Sequence, residues 1–204
     1  MRAVRVTSHG NPTDVIEVRD DVPPPDVPPG HVRIAVSAAS LNFGDIARCR
    51  GGVASVMAQP PFTLGMDACG VVEAAGEGAD PWVGRRVVAM CAMSFGGIAE
   101  LAVAPVNGVF AAPPELDDVE AAAFLLPFHT THLALHERAG LRAGEHLLVV
   151  GGASALGTAA IQLGVATGAD VLAVAGGPEK AELCRELGAA LALDYADDLF
   201  DAVM

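Results

Sequence analysis

Residues 145–195 read EHLLVVGGASALGTAAIQLGVATGADVLAVAGGPEKAELCRELGAALALDY, and their rhythm decides the fold. EHLLVV, ADVLAVA and ALALDY are apolar runs of strand length. ALGTAAIQLGVATG and PEKAELCRELG, which separate them, have helical length and composition. Strands apolar on both faces, alternating with helices, are the mark of βαβ units in a parallel sheet covered on both sides. Pro178 suits the first turn of its helix, where a missing N–H costs nothing. Three strands are legible, whereas a full doubly wound domain is built from two such halves. The sequence therefore predicts a partial parallel-sheet domain.

The turn that joins the first of these strands to its helix is VVGGASALGTAAIQL. Gly152, Ser154 and Gly157 occupy the three small-residue positions of G-x-G-x-x-G, with serine in the middle. Such a turn must bend sharply, let backbone approach a pyrophosphate, and let the helix pack against the strand. The helix start offers unpaired N–H groups and the positive end of its dipole to phosphate oxygens. Gly151, Gly152, Ser154, Ala155, Leu156 and Gly157 are the candidate dinucleotide contacts. A tight packing turn without a ligand is the alternative. The next strand ends in Ala175-Gly176-Gly177, where an NAD-binding unit usually carries Asp or Glu for the ribose 2′-hydroxyl. No carboxylate stands there to repel a 2′-phosphate, and Lys180 follows. Gly176 and Lys180 thus favour NADPH over NADH; the competing reading pairs Lys180 with Glu179 or Glu182 on a helix surface.

Toward the N-terminus the character changes. RAVRV, VIEV, HVRIAVSA, GVVEAAGEG, RRVVAM and IAELAVAP are short β-rich runs separated by dense turn signals, and DDVPPPDVPPG is an extended loop. SLNFGDIARCRGG reads as a short helix stopped by glycine. These features predict a small, irregular β-barrel-like domain. Near residue 115, LDDVEAAAFLLPFHTTHLALHERAG begins a long helical stretch with acidic residues at its start and Arg138 and Gly140 at its end. Pro127 is expected to kink or interrupt it.

The chain of 204 residues is 52% hydrophobic and carries a formal net charge of −13. That charge argues against nucleic-acid binding, which needs a basic face. No apolar run reaches the roughly 18 residues of a membrane span, and the N-terminus does not read as a signal peptide, so a cytoplasmic location is expected. Lys180 is the single lysine among twelve basic residues. The cysteines, Cys49, Cys69, Cys91 and Cys184, form no C-x-x-C pair and read as small core residues. His129, His132 and His136 are spaced three and four apart, the spacing of one helix face. A partly exposed histidine face suits them better than a metal site, because no Asp or Cys completes the set.

Together, SLNFGDIARCRG, PPFTLGMDACGVV, VGRRVVAM, GGIAELAVAP, the Thr130-centred helix, GGASALGTAAIQL, PEKAELCRELGA and LDY resemble, in order, the medium-chain dehydrogenase/reductase superfamily, and within it the zinc-independent quinone oxidoreductases. The resemblance implies an α/β plus β architecture, with a GroES-like domain over 1–121 and a partial Rossmann domain over 122–204. It implies an enzyme passing a hydride from NADPH to a quinone or an α,β-unsaturated carbonyl. By position, Asn42 matches the asparagine beside nicotinamide and substrate, and is the one catalytic candidate. Thr130 matches the threonine near the nicotinamide carboxamide, and Lys180 and Tyr195 match the holders of the 2′-phosphate. Asn42 also reads as a helix cap, and Tyr195 as a half-buried aromatic at a strand end. Zinc-dependent relatives carry Cys and Gly-His-Glu where this chain has Asn42 and Gly65-Met66-Asp67, and the four-cysteine zinc lobe is missing, so no zinc is expected. Many quinone oxidoreductases carry a tyrosine where this chain has Val53. An enoyl reductase is the same-class alternative, since LNFGD also resembles enoyl reductase domains of polyketide synthases. A non-catalytic, truncated NADPH-binding remnant is the different-class one. Homodimerisation of a complete chain is left open.

Overall fold

The computed structural model describes residues 1–52, 59–91 and 96–196. The chain divides into two compact units, Met1–Leu126 and Pro127–Met204.

The first unit is built on antiparallel sheet. Strands β1 (Ala3–Val6), β2 (Ile16–Arg19), β3 (His31–Ala39), β4 (Phe62–Thr63), β5 (Asp67–Ala75), β6 (Arg86–Met90), β7 (Leu101–Pro105) and β8 (Val109–Ala111) form two sheets. One is ordered β2-β1-β4 and the other β7-β3-β5-β6-β8. A core of Val32, Ile34, Ala68, Val72, Val87, Ala89, Ala102 and Ala104 fills the larger sheet's inner face. Burying each Val or Ile there contributes about 1.5–3 kcal/mol. VIEV is strand only from Ile16 onward; Val15 closes the one-turn helix α1 (Pro12–Val15), which Pro12 opens.

One register positions the polar corner discussed below. β3 and β5 run antiparallel with Ala39 opposite Ala68, so the exit of β3 lies beside the entry of β5. The pairing is close enough that a Cβ on Gly70 would stand 2.1 Å from the carbonyl oxygen of Ala35. Beyond β3 the chain enters helix α2 (Phe43–Arg50), which stops at Gly51 with φ +85°. Such a left-handed conformation favours glycine.

Helix α3 (Asp118–His132) starts with a reciprocal cap. The Asp117 carboxylate accepts from the Glu120 N–H at 2.8 Å, and Glu120 accepts from the Asp117 N–H at 3.0 Å, satisfying two donors that a helix start leaves open. Pro127 neither ends nor interrupts α3. The capped start and the apolar run before the proline carry the helix across a break costing about 3 kcal/mol. The ladder then widens into a π-helical turn over Leu133–Arg138.

In the second unit, β9 (His146–Val150), β10 (Asp170–Ala175) and β11 (Leu191–Asp194) form a parallel sheet in the order β11-β10-β9. Helices α4 (Ala155–Thr167) and α5 (Pro178–Glu186) make the crossovers. Ile161, Val171, Ala173, Ala181 and Cys184 lie in the core between helices and sheet. This is one half of a doubly wound fold, with the order 3-2-1 that such halves adopt. All four cysteines are buried and unbridged. No helix among the described residues is long and apolar enough to cross a membrane.

Candidate functional site

The sequence-predicted contacts fall into two groups: Asn42 belongs to the first unit, and the others belong to the second.

In the second unit the turn from β9 to α4 is shaped by what glycine lacks. Gly151 has φ +80°. A Cβ on Gly157 would sit 2.2 Å from the carbonyl oxygen of Gly151 and 2.6 Å from that of Gly152, so helix and strand touch through bare backbone. A Cβ on Gly152 would meet the Cys184 sulfur at 2.7 Å. The Gly151 and Gly152 amides both donate to the Val174 carbonyl at 2.9 Å, tying the turn to the end of β10. Ser154 is the N-cap of α4, its Oγ accepting from the Gly157 N–H at 3.1 Å. The amides of Ala155 and Leu156, the first two helical residues, have no acceptor within the helix. They are the donors left to an anion, and the Ser154 hydroxyl hydrogen joins them.

Tyr195 and Gly176 close one side of this turn. Tyr195 follows β11, and its N–H donates to the Ala175 carbonyl at 3.0 Å. Its ring carbons lie 3.6 Å from where a Gly176 Cβ would be, and its hydroxyl 3.9 Å from where a Gly151 Cβ would be. The ring is half exposed and spans the carboxyl ends of β9 and β10. Lys180 stands exposed in the first turn of α5. Its candidate partner Glu182 is taken by Arg185 at 2.6 Å, and among the described residues Lys180 joins no ion pair.

Thr130 is exposed and borders a groove of about 380 Å³ whose other walls include Leu148, Val150, Ser154, Leu156 and Gly157. The neighbouring Thr131, which sequence reasoning passed over, is buried, and its hydroxyl donates to the Leu156 carbonyl at 3.5 Å. It ties α3 to the first turn of α4.

In the first unit Asn42 is the N-cap of α2 by position, with φ −119° and ψ 159°. The cap is completed by Asp45, whose Oδ2 accepts from the Asn42 N–H at 2.9 Å, while the Asp45 N–H donates to the Asn42 backbone carbonyl at 2.9 Å. The Asn42 side-chain amide turns instead to the entry of β5. Its Nδ2 donates to Ser40 Oγ at 2.8 Å and to Asp67 Oδ1 at 3.1 Å, and the Ser40 hydroxyl donates to the same Asp67 oxygen. Leu41 and Phe43, either side of Asn42, are among the most exposed apolar residues.

Both carboxyls here are buried. Asp45 also accepts from the Gly65 N–H at 3.1 Å, yet burial holds its carboxyl above the usual range. Burial pushes Asp67 further, to about 6; the hydrogen bonds from Ser40 and Asn42 pull the other way without cancelling it. Sequence reasoning treated Asp67 only as a replaced zinc-ligand position. The signal was available: Asp67 is the one charged residue in the apolar stretch from Leu64 to Val72. Met66, at the neighbouring position, lays its thioether against the start of α2, 2.5 Å from where a Gly44 Cβ would stand. The His132 and His136 rings pack in a tilted arrangement with centroids 4.7 Å apart. No group of three His, Cys, Asp or Glu side chains able to hold a metal occurs among the described residues. Val53 lies outside the described residues.

Comparison with known proteins places these features. Residues 28–114 match the family model of the alcohol dehydrogenase GroES-like domain. Human quinone oxidoreductase is 37% identical over 191 residues, which is 93% of this chain and 57% of that protein. The phthioceranic/hydroxyphthioceranic acid synthase of Mycobacterium tuberculosis (strain H37Rv) is 38% identical over 161 residues, 78% of this chain and 7% of that one. Among solved structures, the quinone oxidoreductase of Thermus thermophilus, determined also in complex with NADPH, is 40% identical with a TM-score of 0.81, covering 96% of this chain and 60% of its own. The chain thus spans about three fifths of the quinone oxidoreductases it matches. Along nearly its whole length the chain resembles the medium-chain dehydrogenase/reductase superfamily. Its antiparallel unit is GroES-like, and its parallel three-stranded unit is a partial Rossmann domain.

Proposed function

We propose that this chain is part of a cytoplasmic, NADPH-dependent oxidoreductase that reduces a quinone or an α,β-unsaturated carbonyl. The observation that carries the reading is the start of α4: close backbone contact at Gly157, and amides at Ala155 and Leu156 left open to an anion. A pyrophosphate fits that cradle. The Tyr195 hydroxyl borders it, and Tyr195 with Lys180, exposed in the first turn of α5, is assigned to the 2′-phosphate. When bound, NADPH supplies the hydride. Asn42 contributes a polar contact beside the nicotinamide, and Thr130 a second.

Zinc independence is part of the proposal, on the chemistry of the donors. Zinc takes thiolate, imidazole or carboxylate ligands. Asn42 and Met66 offer none of these, and the Asp67 carboxyl is buried and engaged with Ser40 and Asn42. Quinone reduction suits a corner without a metal, since charge developing on a quinone is delocalised. A second reading, an enoyl reductase, draws on the likeness to the mycobacterial synthase.

The test is a titration of the labelled protein with NADPH and with NADH, followed by the backbone amide signals of residues 151–158. NADPH is expected to move them, with about tenfold tighter binding than NADH, and Lys180→Ala to remove that preference, a loss of about 1.4 kcal/mol. Unmoved signals at saturating NADPH overturn the reading. Turnover with simple quinones, set against enoyl thioesters, separates the two substrate classes.

A further inference from the structure

We propose that Asp67 is the positioning residue for Asn42, its carboxyl and the Ser40 hydroxyl together holding the nitrogen end of the Asn42 side-chain amide inward. A primary amide has two N–H donors and one carbonyl acceptor. The amide nitrogen of Asn42 points inward, within reach of Ser40 Oγ at 2.8 Å and Asp67 Oδ1 at 3.1 Å, two acceptors close enough together to share one N–H. The Ser40 hydroxyl closes the triangle on the same Asp67 oxygen. Asn42 is thus held nitrogen-inward at one oxygen of one buried carboxyl. This deepens the functional reading and rests on it insofar as Asn42 touches the ligand.

The carboxyl is placed for that role. Asp67 has no exposed surface, and its second oxygen, Oδ2, is buried without a hydrogen-bond partner. An orphaned buried carboxyl oxygen is costly when the group is ionised. It is also the vacant position for a proton. Protonation at Oδ2 leaves Oδ1 still accepting from Ser40 and Asn42, but as a neutral and weaker acceptor. The titratable groups facing Asp67 are Asp45, whose charge further disfavours ionisation of Asp67, and Cys91. Burial pushes the Cys91 thiol up to about 12, so it stays neutral while Asp67 titrates. The hold on Asn42 is tight above the Asp67 midpoint and looser below it.

The experiment follows the side-chain NH₂ signals of Asn42 in the ¹⁵N-labelled full chain from mildly acidic to mildly basic pH, with Asn42→Ala identifying them. In the wild type they are expected to shift with a midpoint of about 6. In Asp67→Asn the shift is lost, and in Asp45→Asn it persists. In Ser40→Ala, which removes one donor to Oδ1, the midpoint rises. Asn42 signals flat with pH in the wild type, a titration that survives Asp67→Asn, or a midpoint unmoved by Ser40→Ala overturns the proposal. Should Asp67→Asn fail to fold, the Ser40→Ala midpoint decides alone. None of these readings needs cofactor or substrate. Failure of the NADPH titration therefore sinks the functional reading without touching this one. Where turnover is measurable, Asp67→Asn lowers kcat with little change in the KM for NADPH, a split that general loosening of the fold does not produce.

Discussion

At the start of α4 the chain offers backbone amides; at the start of α2 it offers side chains. Both are helix N-termini, and both are capped from within. Ser154 gives its oxygen to the Gly157 amide and leaves the donors of Ala155 and Leu156 open. Asp45 caps α2, which frees the Asn42 amide for Ser40 and Asp67. The first arrangement depends on the absence of atoms, since its shape is that of glycines pressed against carbonyls. The second depends on a buried carboxyl held at one strand's entry by another strand's exit. A site of the first kind tolerates no added methyl group. One of the second kind tolerates shape-conserving changes and responds to pH.

Three measurements break or sharpen that contrast. The largest effect is expected from Gly157→Ala, whose Cβ would lie 2.2 Å from a carbonyl oxygen. Separation of α4 from β9 costs about 3 kcal/mol or more, read as a lower midpoint in chemical denaturation. A near-neutral result removes the claim that this turn is held by close contact. Next is Asp67. Its native value, raised to about 6, lies above the roughly 3.9 of an unfolded chain. The folded form therefore binds the proton more tightly, and its contribution to stability is present in full below about pH 4 and lost as pH rises through about 6. Comparing the wild type with Asp67→Asn at about pH 4 and about pH 8, the variant gains up to about 3 kcal/mol relative to the wild type at the higher pH. A pH-independent difference would show that Asp67 titrates in the fold as it does in the unfolded chain. The smallest is Ser154→Ala, which removes the α4 cap and costs about 1 kcal/mol at any neutral pH. It checks that the α4 corner lacks the pH response of the α2 corner.

The same contrast explains what could be read in advance. The elements of the second unit emerge at their expected places because parallel strands covered on both faces are uniformly apolar and their helices carry proline and glycine punctuation. Pro178 opens α5 as expected, and Gly168, with φ +83°, closes α4. The glycine turn is legible for the same reason: a need for no side chain is visible one residue at a time. The first unit shows less of itself. β4 has two residues and β8 three, too short for any periodicity. Helix α3 passes through Pro127 because its cap and apolar run outweigh one lost hydrogen bond, a balance that no local rule displays. The tie between Asn42 and Asp67 spans 25 residues and exists only through the β3–β5 register. A resemblance could point at Asn42, but the partner that turns its amide inward is a product of strand pairing.

The chain contains one tryptophan and one tyrosine, and the fold puts one in each unit. Trp82 packs at the edge of the antiparallel core with the Arg85 guanidinium 5.6 Å from its ring centre. Tyr195 lies across the glycine turn. Each half of the molecule thus carries its own chromophore. Fluorescence excited selectively at the indole follows the β-rich half as it melts, while the phenol's near-ultraviolet dichroism follows the parallel-sheet half. Two melting curves that superimpose would describe a single cooperative body, and two that separate would give the halves their own stabilities without a single substitution.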